Sequence, residues 1–342
     1  MKSKTCRVPN EFASKATPVR FTPKNRLKVI LFSVALLLSS SQAPAQEHAT
    51  LMVSYAAVNA NMLNLWVAKE AGYFRDEGID AGLILVRGGS LAVQLLLSGQ
   101  TPMSLVGATP IANAYLQGNK DLVMIAGVTN IMSYVLAAKP EIQSSENIKG
   151  KTLAVSRLGS TADFVAEYAL RRLGLKKTDV SMIQIGPEND RLASMQRGDI
   201  YLSVFSPTYM TAINKAGMKI LLDLERMKIP YLLAGYATTR SLLTRDRGLA
   251  VRFTRAIIRS IKRIKMDRPY AQKILGRYLN NSDASLLNVA LDQQVRILPD
   301  LPYPTEDGIK TILDDVGRTV PEALRLPPGA LMDPTIVRDA AK

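Results

Sequence analysis

The sequence contains almost none of the two residue types that most often build metal sites and nucleophilic active sites. Its 342 residues include one cysteine, Cys6, and one histidine, His48, both close to the amino terminus. The chain beyond residue 48 therefore cannot form a disulfide, a cysteine metal site, a Ser–His catalytic pair or a histidine metal site. We accordingly predict that the protein has no catalytic residues, no metal and no other cofactor.

Acidic residues are scarce relative to basic ones, and much of this imbalance lies at the start of the chain. The net charge is +15, but positions 1–45 hold eight lysines and arginines and a single glutamate. The residues that follow therefore carry a net charge of only +8. A charge of this size does not require nucleic acid as a partner, and we predict none.

The chain also lacks an apolar run long enough to cross a membrane. Basic residues within 24–28 precede an uncharged stretch at 29–41, which is only about half as long as the roughly 20 residues that span a bilayer. Ala43-Pro44-Ala45 then supplies small residues at the spacing of a signal-peptidase site. We predict a cleavable signal peptide over residues 1–45 and a mature, monomeric chain in the periplasm.

After residue 48, short apolar runs alternate with helical patterns, which is typical of an α/β protein with parallel sheets. Beyond residue 239 the strand patterns stop and helical patterns continue. The predicted strands are 50–55, 81–86, 103–106, 122–128, 134–138, 152–156, 180–185, 202–205, 219–222 and 233–238. The predicted helices between them are 62–71, 91–97, 111–117, 162–173, 190–196 and 209–216.

A repeated pattern indicates two similar lobes. Gly99 and Gly118 enclose a short strand, a proline and a helix, and Gly198 and Gly217 enclose the same succession at the same spacing. Two lobes built on one plan would produce this repeat, although glycine after a helix and proline at its start are also common punctuation. In open α/β sheets, ligands bind beyond the carboxyl ends of the strands, so we predict a binding cleft there.

The residues that follow the predicted strands are candidate ligand contacts. Ser90 and Ser160 each follow a glycine at a helix start, where a serine caps the helix and the free N–H groups can hold a carboxylate, sulfonate or nitrate. Arg157 either pairs with an anionic ligand or lies solvated at the cleft mouth, and Tyr55 and Tyr236 are candidates for stacking on a ligand. The complete predicted set is Tyr55, Asn59, Gly89, Ser90, Thr109, Arg157, Ser160, Thr161, Ser206 and Tyr236.

Two other features are predicted to be structural. Trp66 lies within a helical pattern, which favours packing in the core over contact with a ligand. The segment 252–262 places basic residues on one helical face and apolar residues on another. A solvated outer face is the favoured interpretation, and docking to an acidic partner or a lipid surface is the alternative.

The segment LWVAKEAGYF at 65–74, followed by EGID at 77–80, resembles the periplasmic solute-binding proteins of nitrate/sulfonate/taurine-type ABC transporters. These proteins share a fold with binders of thiamine-pyrimidine precursors. The resemblance continues through the glycine motifs described above and covers most of residues 50–240. It implies a type II periplasmic-binding-protein fold, an α/β architecture with two lobes, a hinge and an interlobe cleft.

The resemblance also gives the expected division of the chain. Lobe 1 is predicted to comprise residues 46–140 and to be completed by 239–342, which also supply the C-terminal helices. Lobe 2 is predicted to comprise residues 141–238. The crossings between the lobes are expected near 139–145 and 238–241.

The function that the resemblance implies is that of an exported receptor for an ABC uptake transporter. Its solute would be a small organic or inorganic anion of the sulfonate, nitrate or carboxylate kind, or a pyrimidine-like molecule, and its partner an inner-membrane ABC permease. One alternative is an enzyme similar to the thiamine-pyrimidine synthases of this fold, whose site the resemblance implies to contain a histidine. The chain after residue 48 has none, so we predict that the protein is not an enzyme. The other alternative is a periplasmic ligand sensor for a receptor kinase.

Overall fold

The computed structural model describes residues 49–342, which form two five-stranded sheets flanked by helices. The predicted signal peptide, its cleavage site and both Cys6 and His48 lie outside the described residues. The strands are β1 (Ala49–Tyr55), β2 (Ile79–Leu85), β3 (Met103–Val106), β4 (Leu122–Ile131), β5 (Val135–Ala138), β6 (Thr152–Val155), β7 (Ser181–Gln184), β8 (Leu202–Phe205), β9 (Lys219–Asp223) and β10 (Pro230–Thr239). Each predicted strand overlaps one of these.

Helices connect the strands and complete the chain after β10. They are α1 (Leu63–Glu70), α2 (Tyr73–Asp76), α3 (Gly89–Leu97), α4 (Ala108–Leu116), α5 (Thr161–Arg172), α6 (Glu188–Arg197), α7 (Met210–Lys215), α8 (Arg240–Met266), α9 (Arg268–Leu279), α10 (Ala284–Ile297), α11 (Glu306–Val316) and α12 (Thr335–Ala340). Among residues 49–342, no helix has the length and apolar character needed to cross a membrane.

The two sheets follow one plan. The first has the strand order β2-β1-β3-β10-β4 and the second has the order β7-β6-β8-β5-β9. In each sheet three neighbouring strands are parallel, and the fourth in the order runs antiparallel to both of its neighbours. The prediction of two lobes built alike is therefore confirmed. The prediction of parallel sheets holds for the first three strands in each order and is wrong for β5 and β10, because each of these enters its sheet directly from the other lobe.

This exchange of strands places the crossings earlier in the chain than predicted. The chain passes from the first sheet to the second within 132–134 and returns within 224–229. The predicted boundary at residue 140 left β5 in lobe 1, but β5 pairs with β8 and β9 of the second sheet. Likewise β10, which the boundary at 238 assigned to lobe 2, pairs with β3 and β4 of the first sheet.

Helices α1, α8, α9 and α10 pack together on the first sheet in one apolar core. Trp66 of α1 is fully buried there, and its ring stacks on Tyr278 of α9 with ring centroids 4.6 Å apart. The predicted packing role of Trp66 is confirmed. On the basic face of α8, Arg255 and Arg259 form ion pairs of 2.9 Å and 2.7 Å with acidic residues of segment 76–77, so part of that face contacts protein.

Candidate functional site

A cavity of about 70 Å³ lies between the two sheets, where strands end and helices begin. The first lobe lines it with segments 56–59, 85–89 and 105–107, which lie at the carboxyl ends of β1, β2 and β3 or directly after them. The second lobe lines it with 160–162, at the start of α5, and with residues at the start of α6. This is the edge of the sheets at which open α/β folds bind their ligands.

Four helices begin at this cavity. The residues that precede α3, α4 and α6 are Gly88, Gly107 and Pro187, and none of their side chains caps the helix. The first N–H groups of these helices therefore have no side-chain acceptor, and the helix dipole adds a partial positive charge at the same place. Helix N-termini of this kind form a ready site for an anion or another acceptor group.

The predicted cap at α5 is formed, but the predicted cap at α3 is not. Ser160 precedes α5, and its Oγ accepts a hydrogen bond of 3.4 Å from the N–H of Asp163. Ser90 is instead the second residue of α3, because the turn is made by Gly88 with a φ of +100°. Its hydroxyl donates to the carbonyl oxygen of Leu158 on the other lobe at 2.9 Å.

A buried carboxylate, Glu188, also lines the cavity. Its Oε2 accepts a hydrogen bond of 2.9 Å from the Nδ2 of Asn59, which lies on the opposite lobe. Its Oε1 accepts a hydrogen bond from the N–H of Ser206. Glu188 thus joins the two lobes across the cavity.

Arg191, one turn further along α6, lines the same cavity and is only 2% exposed. Its guanidinium donates hydrogen bonds of 2.9 Å to the Ser203 hydroxyl and the Val204 carbonyl oxygen, and another to the carbonyl oxygen of Gly186. Burial lowers the pKa of Arg191, and the nearby Glu188 carboxylate opposes that shift. The arrangement fixes a positive charge beside the cavity.

Tyr134, in the segment that crosses between the lobes, is a further polar residue of the lining that the sequence analysis did not identify. It lines the cavity and is 9% exposed, and its hydroxyl has no hydrogen-bond partner among residues 49–342. Burial, and after it the Glu188 carboxylate, raises the pKa of this hydroxyl far above its usual value. The hydroxyl therefore stays protonated and is free to donate to a solute.

The structure brings together Asn59, Gly89, Ser160 and Thr161 of the predicted site residues. The other six lie beyond the cavity lining. Ser206 reaches it indirectly through Glu188, and Ser90 and Arg157 contact the opposite lobe. Thr109 shares a hydrogen bond of 2.6 Å with the hydroxyl of Tyr231.

The two tyrosines predicted to stack on a ligand have aromatic or buried partners within the first lobe. Tyr55 packs edge-on against Trp66, with ring centroids 6.1 Å apart. Tyr236 is fully buried, and its hydroxyl donates to the Oδ1 of Asn64. A solute in this cavity would meet neither ring, because both are absent from the cavity lining.

The two lobes are in contact around the cavity. Besides the Asn59–Glu188 bond, the hydrogen bonds that join them include Ser90 Oγ to Leu158 O at 2.9 Å, Arg157 Nε to Arg87 O at 2.8 Å and Asn113 Nδ2 to Gly159 O at 3.3 Å. At Gly107 the backbone of the first lobe lies close to the second lobe. A Cβ atom there would be 2.2 Å from the Thr161 Oγ1 of the other lobe and 2.7 Å from the carbonyl oxygen of Leu233.

Two lobes of one plan that enclose a cavity at their strand ends define a two-lobed periplasmic-binding-protein fold. A family model described as NMT1/THI5 like matches residues 59–269, which is more than half of the chain. The chain belongs to the NMT1/THI5-like family.

The chain is also similar to a known protein and to solved structures. The protein YtlA of Bacillus subtilis (strain 168) is 28% identical over 233 residues, which are 66% of this chain and 69% of YtlA. A structure from Bordetella bronchiseptica RB50 superimposes with a TM-score of 0.78 at 20% identity, over 86% of this chain and 97% of its own.

Two similar structures have names that state a ligand. The alkanesulfonate-binding protein SsuA from Xanthomonas axonopodis pv. citri, bound to MOPS, gives a TM-score of 0.67 at 18% identity, over 86% of this chain and 98% of its own. The periplasmic nitrate-binding protein NrtA from Synechocystis PCC 6803 gives a TM-score of 0.72 at 12% identity, over 86% and 89%. The predicted type II fold and the family resemblance are both confirmed.

Proposed function

We propose that this protein is the solute-binding receptor of an ABC uptake transporter. It captures a small organic or inorganic anion of the sulfonate, nitrate or carboxylate kind, or a pyrimidine-like solute, between its two lobes. The observation that carries the proposal is the interlobe cavity at which four helices begin, three of them without a side-chain cap. The names of SsuA and NrtA, which state alkanesulfonate and nitrate binding, support it.

The site stabilises a bound acceptor group by several donors at once. Each helix N-terminus contributes about 0.3–1 kcal/mol to an anion at the surface and up to about 2 kcal/mol when partly buried. The N-termini of α3 and α4 approach from one lobe, and those of α5 and α6 approach from the other. A solute held by both sets favours the arrangement in which the lobes are in contact.

The remaining parts of the proposal concern the place and partners of the receptor. The predicted signal peptide over residues 1–45 would deliver the mature chain to the periplasm. NrtA is named as a periplasmic protein, which supports this location. The receptor would work there as a monomer that delivers its solute to an inner-membrane ABC permease. It would bind the solute without transforming it.

A thermal-shift screen of the chain beginning at Gln46 tests the proposal. The solutes to be tried are nitrate, alkanesulfonates, 2-aminoethanesulfonate, aromatic carboxylates and pyrimidines. A solute at about 100 times its dissociation constant should stabilise the folded state by roughly 2.7 kcal/mol, and so raise the melting temperature. If no solute of these classes raises the melting temperature at millimolar concentration, the proposal is wrong.

A further inference from the structure

We infer that the solute carries an N–H donor, as an amino or ammonium group, beside its acceptor group, and that Glu188 binds this donor. The inference rests on the proposed function and narrows its solute class. It assigns different groups of the cavity lining to different parts of one molecule. The helix N-termini and Tyr134 receive the acceptor group, and the Glu188 carboxylate receives the N–H group.

The first argument for this inference is the balance of charge in the cavity lining. Glu188 is the one carboxylate among the described lining residues, and it is 6% exposed. Arg191 supplies the buried positive charge, whereas Arg87 is largely exposed and lies 3.8 Å from Asp190. The buried charges of the lining therefore cancel. A bare anion would gain from Arg191 but would be repelled by Glu188 at short range and low dielectric.

The second argument is the number of hydrogen bonds that the Glu188 carboxylate can still accept. Asn59 and Ser206 each donate to a different oxygen of this carboxylate, and each oxygen keeps a second lone-pair position. A solute made only of acceptors would cover these positions without donating to them, and an unpaired buried acceptor is costly. A solute with an N–H group would complete the carboxylate with a charge-assisted bond.

Tyr134 supports the same division of the cavity. Its protonated hydroxyl, without a partner among the described residues, is a donor available to the acceptor part of the solute. The lining thus presents donors from the helix starts and from Tyr134, and acceptors from Glu188. A site that binds both ends of a solute rejects analogues that lack one of them.

A purely structural role for Glu188, which would be to hold Asn59 and Ser206, is the competing explanation. Stability does not separate the two explanations, because both give Glu188 the same internal hydrogen bonds. Selectivity between solutes does separate them. Only a carboxylate that contacts the solute changes the preference between two molecules that differ in one donor group.

Calorimetric titration of two isosteric pairs tests the inference. The pairs are 2-aminoethanesulfonate with propane-1-sulfonate, and 4-aminopyrimidine with 4-methylpyrimidine, in which a methyl group replaces the amino or ammonium group. In at least one pair the wild type should bind the amino member about tenfold or more tightly than the methyl member. Glu188→Gln should remove most of this preference, and the exposed control Glu146→Gln should keep it.

The outcomes separate this inference from the proposed function. Equal or tighter binding of the methyl members, or a preference that persists in folded Glu188→Gln, overturns the inference. If nitrate or a plain sulfonate binds and no amino solute binds, the inference is overturned, whereas the receptor function is supported. If no solute of any class binds, the proposed function and the inference fail together. If Glu188→Gln does not fold, equal or tighter binding of the methyl members by the wild type still overturns the inference.

Discussion

At the scale of single residues, Ser90 and Ser160 occupy different positions relative to the start of their helices. This difference decides whether the serine caps the helix or contacts the other lobe. Ser90 and Ser160 both follow glycine and both precede an apolar helical pattern, so the sequence predicts the same role for them. In the structure α5 begins after Ser160, whereas α3 already includes Ser90. The first turn of α3 is thereby left without a side-chain cap, and the Ser90 hydroxyl reaches the opposite lobe.

Alanine substitutions at these two serines should have different effects. Ser160→Ala removes a helix cap and should lower the free energy of unfolding of the solute-free protein by about 1 kcal/mol. Ser90→Ala removes no cap, so it should leave this free energy nearly unchanged. Instead it removes a hydrogen bond between closed lobes, worth about 1 kcal/mol, which corresponds to a roughly fivefold weaker affinity.

Urea denaturation and calorimetric titration measure the two quantities. A loss of stability in Ser90→Ala equal to that in Ser160→Ala would show that both serines cap helices. An unchanged affinity in Ser90→Ala would show that its bond to Leu158 does not contribute to solute binding.

At the scale of elements, the sequence identifies strands more reliably than it identifies their partners. Alternation of apolar runs and helical patterns located every strand, because that signal is local. The pairing of β5 and β10 is not local, since each crosses to the other lobe and inserts beside a strand distant in sequence. Their short apolar runs look like those of the parallel strands, so neither the antiparallel direction nor the crossing points could be predicted.

The same reasoning explains what was missed in the site. Candidates were sought just after strands, which found Asn59, Gly89 and Ser160 in the lining. Glu188 and Arg191 lie on α6, where an acid in the first turn ordinarily compensates the helix dipole. The proline at position 187 marked the helix start, but nothing in the spacing indicated that this helix begins at the cavity.

The packing of α1 against α9 gives a prediction at this scale. Trp66 is fully buried between these helices and the sheet, so Trp66→Ala should lower the free energy of unfolding by about 3–5 kcal/mol. The fraction that stays folded should bind solute with wild-type affinity, because the Trp66 ring does not line the cavity. Chemical denaturation and titration of the same preparation measure both. A loss of affinity without a loss of stability would contradict the packing role.

At the scale of the whole molecule, two crossing segments connect the lobes and form a natural hinge. Segments 132–134 and 224–229 are short, and Glu225 in the second accepts hydrogen bonds from Ser133 in the first and from Gln293 of α10. Closure of two domains about a few such residues is a recurrent response to a ligand. We expect the lobe contacts around the cavity to form at the closed end of this motion.

Small-angle X-ray scattering should detect the motion. We expect the radius of gyration to fall when the solute is added to saturation. The scattering curve should then approach the curve calculated for the arrangement in which the lobes are in contact around the cavity. A solute-free curve that already matches the closed lobes, and that stays the same at saturation, would contradict hinge closure.

Titration of a variant at Gly107 tests the central claim most directly, because this residue lies where the lobes meet. A Cβ atom there would be 2.2 Å from Thr161 Oγ1 across the cleft, whereas a Cβ atom at Gly329 would meet nothing within 4 Å. If the solute is held between closed lobes, folded Gly107→Ala should bind one solute per chain about tenfold or more weakly than the wild type, a loss of about 1.4 kcal/mol. The matched control, Gly329→Ala, should keep the wild-type affinity. Equal affinity in Gly107→Ala and the wild type would contradict the claim that the solute is bound in this cleft.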